Sequence, residues 1–218
     1  MSINPIDFYN ALVRNKINFF TGVPDSLLKE FCLTVDENVS DKKHIIGVNE
    51  GSSIAIGAGY YLSTGLLPLI YLQNSGLGNA INPILSLCDK DVYSIPMIIM
   101  IGWRGEPGVK DEPQHLKQGK IQTQLLDTMA IPYNIISSDD INSFENIIDE
   151  SVIKAKKIKS PVALLIKKGT FKKYGQKNCM DHWGWIWNWR TYSHSFIERG
   201  LQGSSFRKNK RNFGTGSN

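Results

Sequence analysis

The chain has 218 residues, 41% of them hydrophobic and 21% charged, and its formal net charge is +5 at pH 7. This length and hydrophobic content suit one domain of ordinary size with a single good core. The sequence contains no run of about 18 apolar residues, which excludes a membrane-spanning helix.

The predicted compartment is the cytoplasm. Residues 1–10 have neither a basic segment nor an apolar segment typical of a secretory signal peptide. The three cysteines form no CxxC pair, and their odd number argues against a disulfide framework.

The first 30 residues predict a helix, a strand and the start of a second helix. Apolar spacing indicates a helix over residues 5–15 and a strand over residues 17–20. Glycine and proline then interrupt the chain within residues 21–26, where Asp25 or Ser26 can cap a helix that begins at Leu27.

A second unit of this kind contains Glu50. The β-branched residues Ile45, Ile46 and Val48 predict a buried strand, which leads through Glu50 into a helix reaching Tyr61. Catalytic groups of α/β folds collect at such strand ends. A simpler interpretation is that Glu50 only places a favourable charge in the first turn of its helix.

The remaining elements continue the alternation. Strands are predicted over residues 68–72, 96–101, 133–136 and 161–166, and helices over 80–87, 115–129 and 141–159. Alternating strands and helices predict an α/β fold, a parallel sheet with helices on both faces. Unusual polar residues follow four of the strands: Asp25, Glu50, the pair Gln73 and Asn74, and Arg104.

The loop over residues 102–114 carries groups suited to an anionic substrate. Arg104 can bind a carboxylate or phosphonate with two N–H groups, and Lys110 offers a point charge. His115, just after the loop, can exchange a proton near neutral pH. The alternative is a solvated, charged surface loop.

The segment from Gln73 to Asn79 follows a strand and contains two glycines, but it matches neither GxGxxG nor a Walker A motif. The side-chain amides of Gln73 and Asn74 suit hydrogen bonds to a heterocycle or a carboxylate. An equally plain interpretation is a polar turn that caps the next helix. The sequence has no cluster typical of a protein-only metal site.

The C-terminal part has a different composition. Residues 151–218 carry 15 Lys and Arg against 2 Asp and Glu, whereas residues 1–150 carry 10 against 18. Four tryptophans alternate over residues 183–189. Such a basic end can bind nucleic acid, but no nucleic-acid motif accompanies it, which argues against that partner. We therefore expect a domain over residues 1–174 and an atypical, basic, Trp-rich tail over 175–218, produced by truncation or a frameshift.

Four segments together resemble a known family. They are GVPDSLL at 22–28, NEG at 49–51, YLQNSGLGNAINP at 71–83 and IGWRGEPGVKDEPQH at 101–115. They are similar to the N-terminal, pyrimidine-binding domain of phosphonopyruvate decarboxylases, in the thiamine-diphosphate decarboxylase family, and the resemblance covers residues 5–170. Sulfopyruvate decarboxylases share parts of the pattern.

The resemblance implies a role for each candidate residue. Glu50 matches the glutamate that hydrogen-bonds N1′ of the cofactor's aminopyrimidine and favours the imino tautomer that removes the thiazolium C2 proton. Asp25 and His115 would face the reacting centre as catalytic groups. Gln73 and Asn74 would lie beside the pyrimidine. Arg104 and Lys110 would bind the anionic groups of the 2-oxo acid.

The sequence also departs from the family. Full-length members continue into a second domain that binds the diphosphate through Mg²⁺ and carries a GDG motif, and this chain has no GDG. The resemblance therefore implies a homo-oligomer or a partner subunit that carries the second domain. Three functions stay open: a phosphonopyruvate decarboxylase subunit, a sulfopyruvate decarboxylase subunit and a catalytically inactive oligomerisation domain.

Overall fold

The computed structural model describes residues 1–173, so the predicted tail with its tryptophans lies outside the described residues. The strands are β1 (Phe20–Gly22), β2 (His44–Ile46), β3 (Leu69–Gln73), β4 (Ile98–Gly102), β5 (Tyr133–Ile136) and β6 (Val162–Ile166). The α-helices are α1 (Pro5–Arg14), α2 (Lys29–Asn38), α3 (Glu50–Thr64), α4 (Leu77–Pro83), α5 (Pro113–Thr128) and α6 (Phe144–Ile158). None of these helices has the length and apolarity needed to cross a membrane.

The six strands form one sheet in the order β2-β1-β3-β4-β6-β5, and every neighbouring pair is parallel. The predicted α/β architecture is therefore confirmed. In the centre, β3 and β4 pair in register from Leu69 opposite Ile98 to Gln73 opposite Gly102. Their carboxyl ends coincide, so the loops that follow them begin side by side.

Alternate strand residues face two separate cores, as the strand period of two requires. One face packs apolar residues of β3, β4 and β6 against α3, α4 and α5, including Ile54, Ile70 and Leu126. The opposite face holds an aromatic cluster in which Phe8 contacts Phe31, Phe144 and Phe171, with ring centroids 5.2–5.8 Å apart. Each such pair contributes about 1 kcal/mol beyond its buried area.

The predicted first strand is displaced: β1 covers Phe20–Gly22, not residues 17–20. Gly22 belongs in the sheet because a Cβ at this position would overlap Tyr71 of β3. The sequence analysis interpreted Gly22 as part of a break after the strand. In the structure, its lack of a side chain lets β1 pack closely against β3.

The prediction of a buried second strand is wrong. Strand β2 is an edge strand that pairs with β1 alone, and Ile45 and Ile46 are 36% and 42% exposed. The β-branched run reflects strand propensity, which does not distinguish a central strand from an edge.

The predicted helix over residues 80–87 is interrupted. Helix α4 begins earlier, at Leu77, and gives way after Pro83 to a π-helix over Ile84–Cys88. Proline lacks the N–H that continues the α-helical hydrogen-bond series, which accounts for a change at this residue.

The chain order creates a crevice between β1 and β3. From β1 the chain continues outward to β2, and then crosses to β3 on the other side of β1. Ligand sites of open parallel sheets lie outside the carboxyl ends of strands at such a reversal. Asp25 follows β1 and Gln73 ends β3, the two strands that border this point, whereas Glu50 follows the edge strand β2 on the outer side of β1.

Candidate active site

Contacts between loops bring the predicted site residues to one edge of the sheet. After β3, Asn74 contacts Arg104, which follows β4. Arg104 in turn donates from Nη1 to Oγ of Ser26, beyond the end of β1, at 2.9 Å. Gln73 reaches His115, and Asn79 reaches Glu50. These contacts form three groups of polar side chains, which lie beyond the carboxyl ends of the first four strands.

Glu50 is the first residue of α3 and is half-buried. Asn49 caps the helix by accepting the N–H of Ser52 at 2.8 Å, which fixes where α3 begins. Oε2 of Glu50 accepts a hydrogen bond from Nδ2 of Asn79 at 2.8 Å. The Glu50 side chain therefore does more than charge a helix turn, because a residue of α4 orients it.

The other oxygen of Glu50 lies against Gly76. A Cβ at position 76 would overlap the carboxylate, so this close approach requires glycine. Oε1 accepts no hydrogen bond from the described residues. One oxygen is held by Asn79, and the second is available to a donor from a ligand.

Asp25 is a nearly buried carboxylate, with 4% of its surface exposed. Oδ2 accepts the backbone N–H of Leu27 at 3.1 Å, whereas Oδ1 has no hydrogen-bond partner among the described residues. Gly102 leaves space for this side chain, since a Cβ there would overlap Oδ2.

Burial raises the pKa of Asp25 to about 6, because removal of water disfavours the charged form. Backbone N–H groups, led by that of Leu27, and the positive charge of Arg104 act in the opposite direction and limit the rise. A carboxyl group with this pKa exchanges a proton close to neutral pH, as an acid–base catalyst requires.

Asn74 connects the loops that follow β3 and β4. Its Nδ2 donates to the backbone oxygen of Arg104 at 2.8 Å, and its Oδ1 accepts the backbone N–H of Arg104 at 3.1 Å. The side chain is 1% exposed. Its predicted contact with a pyrimidine stays a prediction, while the structure shows a positioning role.

Gln73 is half-buried and directs its amide toward the site. Nε2 donates to Oγ of Ser75 at 2.6 Å and lies 3.5 Å from Nδ1 of His115. His115 is in the first turn of α5, which begins at Pro113. The structure therefore brings together two residues that are 42 positions apart in the sequence.

Arg104 is paired with Asp111 inside its own loop. Nε and Nη2 donate to the two carboxylate oxygens at 2.9 and 2.6 Å. Asp111 also accepts the backbone N–H groups of Gly105 and Glu112, each at 2.8 Å. Arg104 comes first among the groups that hold the pKa of Asp111 well below its usual range, followed by these N–H groups.

The guanidinium of Arg104 still has donors for a substrate. Of its five N–H bonds, three point to Asp111 and Ser26, so two are unused within residues 1–173. The side chain is 21% exposed. Asp111 compensates its charge and fixes its direction, a role that sequence reasoning did not assign.

The loop packs closely on α5. Gly105 has φ +68°, a left-handed conformation that favours glycine, and a Cβ there would overlap the backbone of His115. Nε1 of Trp103 donates to the backbone oxygen of Gly119 at 2.9 Å. Glu106 forms an ion pair with Lys167 at 2.6 Å. These contacts attach the start of the loop to α5 and the end of β6, whereas residues 107–110 and 112–114 are exposed, so the alternative of a solvated, charged surface loop stays open for the tip.

Lys110 differs from Arg104. It is exposed and makes no ion pair or hydrogen bond with any residue in 1–173. Its proposed contact with the substrate stays a prediction. Within the same range, no group of three or more His, Cys, Asp and Glu side chains is arranged to hold a metal ion.

Comparisons with known proteins identify the family of the chain. Residues 7–131 match the family described as thiamine pyrophosphate enzyme, N-terminal TPP binding domain. The phosphonopyruvate decarboxylase of Streptomyces viridochromogenes is 34% identical over 145 residues, or 65% of this chain and 35% of that protein. The sulfopyruvate decarboxylase subunit alpha of Methanococcus maripaludis is 34% identical over 158 residues, or 72% of this chain and 90% of that subunit.

The chain covers different shares of the two kinds of relatives. The chain spans about a third of the phosphonopyruvate decarboxylases that it matches, 35% and 32% of two Streptomyces proteins. By contrast, it spans 90% and 70% of sulfopyruvate decarboxylase alpha subunits from Methanococcus maripaludis and Methanocaldococcus jannaschii.

Solved structures support the fold. The thiamine diphosphate-dependent 4-hydroxybenzoylformate decarboxylase of Rhodococcus jostii RHA1 superposes with a TM-score of 0.55 at 17% identity, over 79% of this chain and 32% of that one. Benzoylformate decarboxylase from Polynucleobacter necessarius gives the same TM-score and identity, over 81% of this chain and 32% of that one.

Proposed function

Since the chain belongs to the thiamine pyrophosphate enzyme family, as its N-terminal TPP-binding domain, we propose that it is the pyrimidine-binding part of a 2-oxo acid decarboxylase. The proposed substrate is 3-phosphonopyruvate, and the products are phosphonoacetaldehyde and CO2. The observation that carries the proposal is the Glu50 carboxylate, anchored by Asn79 and open at its second oxygen.

The residues at the sheet edge fit the aminopyrimidine of thiamine diphosphate. Oε1 of Glu50 has no donor within residues 1–173, and Gly76 leaves the space that the carboxylate occupies. Such an oxygen accepts the N–H of a protonated ring nitrogen, with a charge-assisted hydrogen bond. Gln73 offers a further amide from the end of β3. When bound, the cofactor would supply the electron sink needed as CO2 leaves.

The other candidates have separable roles. Asp25, with its pKa near 6, would donate or accept a proton at the reacting centre. His115, beside Gln73, would orient the substrate or transfer a second proton. Arg104 would bind an anionic group of the 2-oxo acid through its two unused N–H bonds, and Lys110 would add a charge from the loop tip.

A partner completes the proposal. By resemblance, the diphosphate and its Mg²⁺ belong to a second domain, which a separate polypeptide or another part of the protein would supply. The test is CO2 release from 3-phosphonopyruvate by the chain combined with a candidate second-domain polypeptide, thiamine diphosphate and Mg²⁺. We expect release from the combination and none from either component alone. No release with any candidate would contradict the proposal and favour the inactive oligomerisation domain.

A second candidate substrate is sulfopyruvate. The observation that favours it is similarity, because the sulfopyruvate decarboxylase subunit alpha of Methanococcus maripaludis is 34% identical over 158 residues, against 34% over 145 residues for a phosphonopyruvate decarboxylase. The same assembly should be assayed with both substrates, and the ratio of their kcat/KM values decides between them. A higher kcat/KM for sulfopyruvate would overturn the phosphonate assignment while leaving the decarboxylase proposal intact.

A further inference from the structure

Asn79 is not among the residues assigned above to the cofactor or substrate, yet it makes the described contact with the Glu50 carboxylate. Its Nδ2 donates to Oε2 at 2.8 Å, across 29 residues of sequence. The two residues belong to α4 and α3, so their contact depends on how these helices pack against each other.

Two glycines make this contact possible. A Cβ at position 51 would lie 2.7 Å from the backbone oxygen of Asn79, and a Cβ at position 76 would overlap the Glu50 carboxylate. The start of α3 and the start of α4 therefore approach each other more closely than side chains allow. This packing holds the backbones on both sides of the hydrogen bond.

We infer that Asn79 is a positioning residue, which engages one oxygen of Glu50 so that the other is directed to the cofactor's ring nitrogen. The inference rests on the proposed function, because it assigns Glu50 to N1′. A carboxylate free to rotate would present either oxygen in several directions, whereas the amide donor selects one orientation. A fixed orientation before the ligand binds reduces the cost of ordering on binding.

The chain offers a matched control. Asn82 lies on the same helix, and its Oδ1 accepts the hydroxyl of Ser86 at 2.7 Å without contact to Glu50. The test variants are Asn79→Leu and Asn82→Leu. Each replaces one side-chain amide of α4 with an apolar side chain of similar size.

The first measurement uses the chain without cofactor. In ¹⁵N-edited NMR spectra, Glu50→Gln should shift the side-chain NH2 resonances of Asn79 and leave those of Asn82 unchanged. Unshifted Asn79 resonances would overturn the inference, because the contact would not exist in solution.

The second measurement uses the assembly with its partner. Asn79→Leu should weaken binding of thiamine diphosphate about tenfold, as expected for loss of an oriented, charge-assisted contact. It should leave binding of the analogue with CH in place of N1′ unchanged, and Asn82→Leu should affect neither ligand. Equal weakening for both ligands would indicate a merely structural role and overturn the inference.

The two measurements also separate this inference from the proposed function. An assembly that binds no thiamine diphosphate, while Asn79 still responds to Glu50→Gln, would overturn the proposed function and the cofactor-directed role together. Binding and CO2 release that survive in Asn79→Leu at the wild-type level would leave the proposed function standing and overturn the role of Asn79 alone.

Discussion

The guanidinium of Arg104 and the carboxylate of Asp111 form a two-point ion pair, with N–O distances of 2.9 and 2.6 Å. The carboxylate is 6% exposed and also accepts two backbone N–H groups. Asp111 therefore determines both the conformation of the loop after β4 and the direction in which Arg104 points.

We expect Asp111→Asn to lower the free energy of unfolding by about 2 kcal/mol, because a partly buried guanidinium loses its countercharge. Substrate KM should rise as Arg104 loses its orientation. Urea unfolding and steady-state kinetics measure the two effects. Glu112→Gln, at the adjacent exposed position, should change neither, and equal effects in both variants would contradict the assigned role.

The contribution of this pair should depend on pH in a defined direction. The pKa of Asp111 is lowered in the folded protein, so the stabilisation is fully present above the unfolded value of about 3.9. It is lost as the pH falls from there through the lower pKa of the folded state. The stability difference between wild type and Asp111→Asn should therefore be constant at neutral pH and shrink in acid. A difference that grows on acidification would refute the assignment.

The contribution of Asp25 to stability should depend on pH in the opposite direction. Its pKa is raised to about 6, so the folded state retains a proton that the unfolded state loses between about pH 4 and 6. Stability from this group falls as the pH rises through that interval. We expect Asp25→Asn to be more stable than wild type by up to about 3 kcal/mol at pH 7.5, with little difference at pH 4, and to lose activity.

Urea unfolding at the two pH values measures the effect of Asp25→Asn. Asp89→Asn is the control, because Asp89 also accepts a backbone N–H, that of Asp91, but at an exposed turn. It should give no gain in stability that depends on pH. An Asp25→Asn protein that is less stable than wild type at pH 7.5 would show that the buried charge is compensated.

Gly76→Ala tests the space beneath the Glu50 carboxylate. The added Cβ would overlap that carboxylate, so we expect turnover to fall at least tenfold as Glu50 is displaced. Gly78→Ala is a close control, because a Cβ at position 78 has no atom within 4 Å. That variant should keep wild-type turnover, with unfolding free energy unchanged or raised by up to about 1 kcal/mol. Similar kinetics in the two variants would contradict the requirement for glycine at position 76.

Glu50→Gln tests the acid itself. Glutamine can still accept the hydrogen bond from Asn79, but it cannot share a proton, so turnover should be nearly abolished. The fold should change little, since loss of a first-turn charge costs less than about 1 kcal/mol. Glu145→Gln removes an acid from the first turn of α6, remote from these groups, and should leave turnover intact. Near-normal turnover of Glu50→Gln, measured by CO2 release, would refute the role of Glu50.

The fold was predictable because its main determinants are local. Strands and helices alternate in the sequence, and this alternation alone leads to a parallel sheet. The position of a strand within that sheet is not local information. The run at Ile45 and Ile46 has the same residue types as a central strand, and only the order of strands shows that β2 lies at an edge.

The candidate site was predictable as a set of residues but not as a set of contacts. Strand ends identified Asp25, Glu50 and Arg104, since the carboxyl ends of parallel strands share one edge. Which charge pairs with which depends on tertiary packing. Arg104 has three acids nearby in its own loop, and nothing in their spacing indicates that Asp111 is its partner. The contact of Asn79 with Glu50 likewise requires the packing of α3 on α4.

Asn74 holds the backbone of Arg104 and makes no use of its side chain. This link between the loops after β3 and β4 is therefore independent of the residue type at position 104. A substitution at position 104 would keep this link, although it would remove the ion pair with Asp111 and the hydrogen bond to Ser26. The connection between the two loops and the proposed anion-binding group are thus carried by different side chains, so one can change while the other is kept.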